Sequence, residues 1–362
     1  MRIAIIDADL ISRKRHRFPN LACMKISGFY KEQGADVELR LNYDDINQFD
    51  KVFISKVFTD TFIPEGVLSE SNVEYGGTGF FFDKAPNLPD EIEHHMPDYH
   101  LYDDFVNDRI AAGAKRNEFK EFLDYSIGFM TRGCFRKCGF CVNKKYDRVF
   151  EHSPLFEFYD PTRPKICLLD DNFFGHPNWR GVLQELQATG KPFKFKQGLD
   201  ERLLTDEKVE QLCAAKYDGA ITFAFDNIED YKMIEKKLQL LRKYTDSQFV
   251  FYVLVGYASQ DAQDIVNAFR RIELLMRYGC LPYIMRFEKY IESPYRGMYI
   301  NLARWCNQPS FFKKKSFREF VTWHDSLSAT YRYMNEFERD HPDIAARYFD
   351  MKFEEIKQKY ER

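Results

Sequence analysis

Short apolar runs alternate with longer amphipathic stretches over most of the chain, a pattern that predicts mixed strands and helices. The first run, residues 2–7 (RIAIID), predicts a buried strand, and residues 19–34 predict the helix that follows it. Three further runs predict strands at 36–41, 51–58 and 72–80. Strands that alternate with a helix and loops indicate a mostly parallel sheet, so this part of the chain is expected to be α/β.

A second and more regular series of apolar runs begins at residue 126, and helical patterns separate most of its members. The runs cover 126–133, 165–171, 192–199, 219–226, 249–257 and 280–288. The clearest helix is predicted at 259–279, with Asp261 or Ser259 as its cap and Gly279 at its end. Six strands with crossover helices predict a parallel sheet curved into a partial barrel, whose ligands bind at the carboxyl ends of the strands.

These patterns divide the chain into four expected parts. Residues 1–82 predict an α/β domain with a mostly parallel sheet, and residues 126–290 predict the partial barrel. Between them, residues 83–125 are rich in Pro, Asp and His and then charged, which is typical of a linker. Residues 291–362 are charged and aromatic, and predict a helical C-terminal extension.

Charge and targeting signals narrow the class of protein. The formal net charge of −3 at pH 7 argues against a general nucleic-acid coat and against a membrane-surface binder, although one local basic patch remains compatible with it. The first residues lack the layout of a signal peptide, and no apolar run approaches the ~20 residues that span a bilayer. We therefore expect a cytoplasmic protein with reduced thiols, in which clustered cysteines indicate a metal or catalysis rather than disulfides.

Three of the eight cysteines, Cys134, Cys138 and Cys141, follow directly after the first strand of the second series. A structural zinc site needs four ligands, commonly two pairs of Cys or His, and here His152 and Cys167 lie further along the chain. An iron–sulfur cluster held by three thiolates leaves one iron open. Such an iron can bind a substrate or a second cofactor.

The spacing Cys134-x-x-x-Cys138-x-x-Cys141, with aromatic Phe140 before the last cysteine, resembles the cluster motif of the radical S-adenosylmethionine (SAM) enzymes. The resemblance covers residues 126–290, and the six strands agree with that family's partial (βα)6 barrel. It implies that the three cysteines ligate a [4Fe–4S] cluster whose open iron chelates SAM. An electron from the cluster then cleaves SAM to methionine and a 5′-deoxyadenosyl radical, which abstracts hydrogen from the substrate. It also implies an electron donor of the flavodoxin or ferredoxin type.

The resemblance assigns SAM contacts to the ends of the later strands. The family's second strand often ends in Gly-Gly-Glu, whereas this one ends LLDDNFFG, so Asp171 or Asn172 would accept from the SAM ammonium group. A strand-end turn is the alternative for this pair. Gln197 and Asp226 end the third and fourth strands and would face the ribose or the substrate, with a helix cap as the alternative for Asp226. Gly256 would let the backbone approach adenine closely.

Residues 1–82 resemble the cobalamin-binding-type Rossmann domain that precedes many radical SAM barrels. The strand–helix–strand opening and the glycine-rich turn GGTGF at 76–80 carry this resemblance. The motif Asp-x-His-x-x-Gly, which presents a histidine to cobalt, is absent, and its nearest match, Asp98-Tyr99-His100, lies in the expected linker. The resemblance therefore leaves cobalamin open as a cofactor, bound without a protein histidine on cobalt.

The basic run SRKRHR at 12–17 would suit phosphate, RNA or an acidic peptide, although we favour a solvated loop there.

Methylthiotransferases that act on tRNA resemble the cluster region, but they carry three more cysteines in an N-terminal domain, where this chain has only Cys23. One cluster is therefore expected. The sequence favours a radical SAM enzyme that modifies, for example by methylation, a small molecule, peptide or nucleotide. The alternatives are a non-catalytic iron–sulfur redox or binding module and an RNA-modifying radical SAM enzyme.

Overall fold

Except for a short strand at 150–151, the strands of the computed structural model, which describes residues 1–358, overlap the apolar runs of the sequence. Their bounds are β1 Arg2–Asp7, β2 Asp36–Leu39, β3 Lys51–Ser55, β4 Val73–Gly76, β5 Tyr125–Gly128, β6 Thr131–Arg132, β7 Phe150–Glu151, β8 Lys165–Leu168, β9 Phe193–Phe195, β10 Thr222–Ala224, β11 Val250–Val255 and β12 Leu281–Arg286. The mixed α/β class is thereby confirmed.

Helices connect these strands and make up the C-terminal part. Those before residue 200 are α1 Ala8–Ser12, α2 Leu21–Glu32, α3 Thr78–Phe81, α4 Asp90–Glu93, α5 Asp103–Ala111, α6 Lys120–Leu123 and α7 Trp179–Ala188. Those after it are α8 Asp206–Ala214, α9 Tyr231–Tyr244, α10 Ala262–Arg277, α11 Arg296–Cys306, α12 Pro309–Phe312, α13 Phe317–Thr322, α14 Ala329–Asp340, α15 Pro342–Tyr348 and α16 Phe353–Ile356. Within residues 1–358, no helix combines the length and the apolar character needed to cross a membrane.

A four-stranded parallel sheet opens the first of two compact units, which comprises residues 1–196. Its strand order is β2-β1-β3-β4, so β1 and β3 are central and their carboxyl ends lie side by side. Ile3 and Ile5 of β1 face one buried cluster, while Ala4 and Ile6 face another on the opposite side. This alternation explains why the whole run of β1 is apolar.

The segment 83–125, expected to be a linker, packs into the core of the first unit. It forms α4, α5 and α6, and its buried side chains share one cluster with Ile3 and Ile5: Ile92, Tyr99, Leu101, Tyr102, Phe105, Val106, Phe119 and Phe122. The Pro, Asp and His residues of the segment lie between these apolar positions. The composition of the segment therefore suggests a linker although its apolar side chains are buried.

The first unit also holds a three-stranded parallel sheet in the order β5-β8-β9, together with the antiparallel pair of β6 and β7. The short strand β6 follows β5 after a break, and the chain returns to pair with it at β7. The loop between β6 and β7 contains the three clustered cysteines. It therefore starts at the carboxyl end of β5, as the sequence predicts.

The second unit, from residue 197 onward, contains the parallel sheet β10-β11-β12. Leu199 also forms an isolated parallel bridge to Phe223 of β10. Helix α10 begins at its predicted cap, Asp261, whose side chain accepts from the backbone N–H of Asp264 at 3.1 Å. Gly279 follows its end with φ +64°, a conformation that favours glycine. The predicted helical C-terminal part is confirmed by α11 to α16.

Candidate functional site

The cysteine loop, residues 133–149, brings three thiols together at half-buried positions. Cys134, Cys138 and Cys141 form no disulfide. The backbone N–H of Cys141 donates to the carbonyl of Cys138 at 3.0 Å, so the second half of the motif is a tight turn. This backbone hydrogen bond shapes the second half of the motif.

The start of the loop is fixed by Asp170, which directly follows the strand β8 and its neighbour Leu169. The buried carboxylate of Asp170 accepts from the N–H of Met130 at 3.2 Å, from the N–H of Thr131 at 2.7 Å and from the hydroxyl of Thr131 at 2.6 Å. Burial raises the pKa of Asp170 to about 7, against the lowering effect of these bonds. The end of β8 therefore holds the strand that leads into the first cysteine.

Asp171 holds the loop on both sides of its three cysteines. One carboxylate oxygen accepts from the N–H of Gly133 at 2.7 Å, and the other accepts from the side-chain amide of Asn143 at 2.7 Å. The Arg132 guanidinium lies 3.9 Å from the same carboxylate. Burial raises the pKa of Asp171, while Arg132 and these two hydrogen bonds lower it. One side chain thus closes the loop that carries all three cysteines.

Hydrogen-bond donors point at two of the sulfurs. Sγ of Cys134 accepts from the N–H of Arg136 at 3.3 Å and from the side-chain amide of Asn172 at 3.3 Å. Sγ of Cys141 accepts from the N–H of Asn143 at 3.4 Å. Donors of this kind favour a thiolate and tune the potential of an iron–sulfur cluster. Burial raises the pKa of the unligated Cys141 thiol, and the neighbouring Cys138 and Cys134 thiols raise it further.

Gly133 is required by the backbone at the loop's start. Its φ of +89° is unfavourable for other residues, and an added Cβ would lie 2.3 Å from the carbonyl oxygen of Arg148. The two ends of the loop therefore approach each other more closely than any side chain would allow.

The two residues considered as a fourth metal ligand belong to other environments. His152 places Nε2 3.4 Å from the Glu93 carboxylate and Nδ1 3.0 Å from the Ser153 hydroxyl. Burial lowers the pKa of His152 to about 3, so its imidazole is neutral. Cys167 is fully buried on β8 and belongs to the small core cluster of that sheet. The candidate metal ligands are therefore the three thiols of the cysteine loop, without His152 or Cys167.

Among residues 1–358, no group of three or more His, Cys, Asp or Glu side chains is arranged to hold a metal ion. An iron–sulfur cluster sets a different requirement, since it contains several irons and its ligands need not converge on one point. Three half-buried thiols, two of which accept from N–H donors, fit that group. Cys134, Cys138 and Cys141 are the residues that would hold it.

The remaining predicted contact residues lie in the second unit. Gln197 is exposed at its start. Asp226 follows β10 and accepts from the N–H of Leu254 at 3.1 Å, and burial raises its pKa to about 6. Gly256 follows β11 with φ +74°; its N–H donates to Asp264 at 2.7 Å, and an added Cβ would lie 2.9 Å from Cβ of Tyr290. The close approach at Gly256 is thus to Tyr290.

A buried arginine, which the sequence reading missed, joins the strand ends of the second unit. Arg271 of α10 is 2% exposed, and its Nη1 donates to the carbonyls of Phe225, Asp226 and Leu254 at 3.0, 2.8 and 2.8 Å. The sequence gives no sign of this role, because an arginine in an amphipathic helix ordinarily faces solvent. Asp170 and Asn143 were missed for a related reason, because their importance lies in contacts distant in sequence.

Cobalamin, which the resemblance leaves open as a cofactor, would bind at the carboxyl edge of the four-stranded sheet. Asp9, 1% exposed, accepts from the N–H groups of Val57 and Phe58 at 2.6 and 3.4 Å, and it also accepts from the Thr61 hydroxyl. The loop after β1 is thereby tied to the loop after β3. An added Cβ on Gly77 would lie 2.3 Å from the carbonyl oxygen of Lys56. The glycine-rich turn therefore packs against protein backbone rather than opening toward a ligand.

Other side chains complete the closure of this edge. The Tyr102 hydroxyl donates to Asp7 at the end of β1 at 2.9 Å and accepts from the N–H of Asn20 at 3.1 Å. Burial raises the pKa of Asp7 to about 7. His100, the histidine of the nearest motif match, is exposed and pairs with Asp103 at 2.7 Å. The arrangement does not fit a bound cobalamin.

Comparison of the sequence with known proteins identifies no family for this chain. No protein-family model matches the chain, and no curated protein matches it.

Proposed function

We propose that the chain is a radical SAM enzyme with one [4Fe–4S] cluster held by Cys134, Cys138 and Cys141. The observation that carries the proposal is the bracketing of this loop by Asp171, which bonds Gly133 and Asn143 at the carboxyl end of a parallel sheet. When bound, the cluster would supply the electron that cleaves SAM to methionine and a 5′-deoxyadenosyl radical. A carrier of the flavodoxin or ferredoxin type is the proposed source of that electron.

The residues after β8 have a positioning role in this proposal. Asp170 fixes the strand that leads into the loop, Asp171 fixes the start of the loop, and Asn172 donates to the sulfur of Cys134. Both carboxylate oxygens of Asp171 are already engaged by the loop. We infer that Asp171 acts on SAM mainly through the position of the cysteines, with Asn172 as the neighbouring candidate for a direct contact.

The carboxyl ends of β10 and β11 carry further candidate contacts for SAM. Asp226 and Gly256 follow adjacent parallel strands, β10 and β11, and Arg271 fixes both strand ends. Carboxyl ends of parallel strands are the usual place for ligands in such sheets. The partial (βα)6 barrel over residues 126–290 remains part of this proposal, in which Gln197, Asp226 and Gly256 face SAM or the substrate.

In this proposal the domain that contains the N-terminal sheet binds no cobalamin. Its carboxyl edge is closed by Asp9, by the Tyr102–Asp7 hydrogen bond and by the contact of Gly77 with Lys56. We infer a Rossmann-like domain of the cobalamin-binding type that has lost the cofactor.

Anaerobic reconstitution followed by chemical analysis tests the proposal. We expect about four irons and four sulfides per chain, and SAM cleavage to 5′-deoxyadenosine and methionine under strong reductant. Alanine at any of Cys134, Cys138 or Cys141 should abolish both. Cys213 is the matched control, because it is an exposed cysteine on α8, and its replacement by serine should change neither. An assembled, reduced cluster that yields no 5′-deoxyadenosine would refute the enzyme and leave a redox module.

A further inference from the structure

Three loops of the first unit form one surface at the carboxyl edge of the four-stranded sheet. They follow β1, β3 and β4 and cover residues 8–17, 56–62 and 77–82. Thr78 donates through its hydroxyl to the carbonyl of Val57, and the N–H of Gly79 donates to the carbonyl of Lys56 at 2.9 Å. These contacts, with those of Asp9, join the three loops. We call this the edge surface, and it includes Tyr75 at the end of β4.

Aromatic rings are exposed on the edge surface to an unusual degree. The most exposed is Phe62, at 70%. Four more rings are between 36% and 41% exposed: Phe58, Tyr75, Phe81 and Phe82. Tyr75 and Phe81 stack with an interplanar angle of 6° and centroids 5.8 Å apart. Grouped exposed rings of this kind mark an interaction site, since single exposed apolar residues are the ordinary case.

Cations accompany these rings. The Arg13 guanidinium lies 4.0 Å from the centre of the Phe58 ring, and Nζ of Lys56 lies 4.9 Å from the centre of the Phe80 ring. Lys14 and Arg15 continue the basic run, and within residues 1–358 neither forms an ion pair. The nearby acid Asp60 is already paired with Arg13. The edge surface therefore combines flat apolar faces with positive charge that its own carboxylates do not cancel.

The edge surface is continuous with the cysteine loop. Nζ of Lys144 lies 5.9 Å from the centre of the Phe82 ring. Beyond it, the side chain of Asn87 accepts from Nζ of Lys145 at 3.0 Å and donates to the hydroxyl of Tyr146 at 3.2 Å. A long ligand lying on the exposed rings would therefore reach the loop that carries Cys134, Cys138 and Cys141.

We propose that the edge surface binds single-stranded RNA and that an RNA strand is the substrate class of the enzyme. Unpaired bases stack on exposed aromatic rings while cations receive the phosphates, and this combination is typical of proteins that bind single strands. RNA loops and ends present such unpaired bases, whereas a duplex hides the faces of its bases. An acidic peptide would use the cations but leave the stacked rings without partners. The proposal rests on the proposed function and extends it.

Fluorescence anisotropy on the full chain tests this proposal. The probe is a labelled single-stranded RNA of about 12 nucleotides, titrated with protein at low and at moderate salt. We expect binding that weakens roughly tenfold between about 50 and about 200 mM salt, as two or three phosphate contacts imply. The double variant Lys14→Glu, Arg15→Glu should weaken binding at least tenfold and flatten the salt dependence. The double variant Phe62→Ala, Phe81→Ala should weaken it at least fivefold at every salt concentration.

Matched controls separate this surface from general effects. Lys236 and Lys243 are exposed on α9, and their reversal to glutamate removes the same charge as the basic-run variant. Phe156 is 75% exposed, so Phe156→Ala removes a comparable ring elsewhere. Both controls should bind RNA as the wild type does. No RNA binding, equal losses in the controls, or equally tight binding of duplex RNA or polyglutamate would overturn the proposal.

A second readout keeps this test independent of the proposed function. The edge variants leave the cysteine loop unchanged, so their SAM cleavage under strong reductant should match the wild type. RNA binding itself requires neither cluster nor reductant. Failure of RNA binding with intact SAM cleavage would therefore remove the RNA substrate alone.

Discussion

Asn143, two residues after the last cysteine of the loop, is hydrogen-bonded to Asp171, the residue that also holds the start of the loop. The side-chain amide of Asn143 donates to Oδ1 of Asp171 at 2.7 Å, while Oδ2 of the same carboxylate accepts from the N–H of Gly133 at 2.7 Å. The backbone N–H of Asn143 in turn donates to the sulfur of Cys141 at 3.4 Å. One asparagine therefore links the last thiol to the end of β8.

The first prediction concerns this link. Asn143→Ala keeps the backbone donor to Cys141 but removes the amide donor to Asp171, which costs about 1–3 kcal/mol when a carboxylate loses its partner. We expect faster hydrogen exchange across residues 134–143, less cluster after reconstitution and faster loss of iron to a chelator. Asn42→Ala is the control, because Asn42 is an exposed asparagine that contacts Arg40. Equal iron retention in all three proteins would contradict the role of Asn143.

The second prediction uses a pair of glycines. Gly133 and Gly190 have positive φ values of +89° and +68°, but an added Cβ meets the carbonyl of Arg148 at 2.3 Å only at Gly133 and meets nothing within 4 Å at Gly190. Gly190→Ala should therefore cost about 1 kcal/mol from the backbone alone. Gly133→Ala should cost more and should also reduce cluster content. Thermal unfolding and iron analysis measure the two effects, and equal behaviour of the variants would contradict the steric argument.

The strands and the cysteine loop could be predicted because their signals are local. An apolar run such as RIAIID is readable without knowledge of the rest of the chain, and so is the spacing of Cys134, Cys138 and Cys141. The cap of α10 by Asp261 was predictable for the same reason, since the capping contact spans three residues.

The contacts that hold the site were not predictable, because they join residues distant in sequence. Asn143 and Asp171 are 28 positions apart, and Asp170 reaches back 39 positions to Thr131. The turn GGTGF illustrates the limit in another way. Its glycines indicate a close approach, but only the structure shows that Lys56 is the group approached at Gly77. The sequence indicates that another group approaches the glycine closely, but it does not indicate which group this is.

The third prediction concerns cobalamin. The Asp9 contacts to Val57 and Phe58 and the packing of Gly77 on Lys56 fill the sheet edge that would receive it. Hydroxocobalamin mixed with the protein and passed through gel filtration should therefore elute separately. Absorbance of the protein fraction is the measurement, with a known cobalamin-binding protein as the positive control. Retention of one equivalent, with or without spectra of histidine coordination, would show that this edge opens.

The fourth prediction concerns pH and Glu201 in the second unit. Glu201 is 3% exposed, its Oε2 accepts from the N–H of Ala224 at 3.3 Å, and burial raises its pKa to about 8. The unfolded chain releases this proton near pH 4.5, so between these values the folded chain keeps a proton that the unfolded chain has lost. Stability from this group is therefore complete below about pH 4.5 and is lost as the pH rises through about 8.

Glu201→Gln should remove that loss, because glutamine retains an oxygen for the N–H of Ala224 and cannot ionise. Thermal midpoints of the wild type should fall from pH 6 to about pH 8, with a contribution on the order of 1 kcal/mol per pH unit from this side chain, and this contribution should level off above that pH. The midpoints of Glu201→Gln should fall less and exceed those of the wild type at the alkaline end. Glu210→Gln, at an exposed position on α8, is the control and should follow the wild type. Parallel curves for the wild type and Glu201→Gln would mean that Glu201 is ionised throughout, and that burial does not hold its proton.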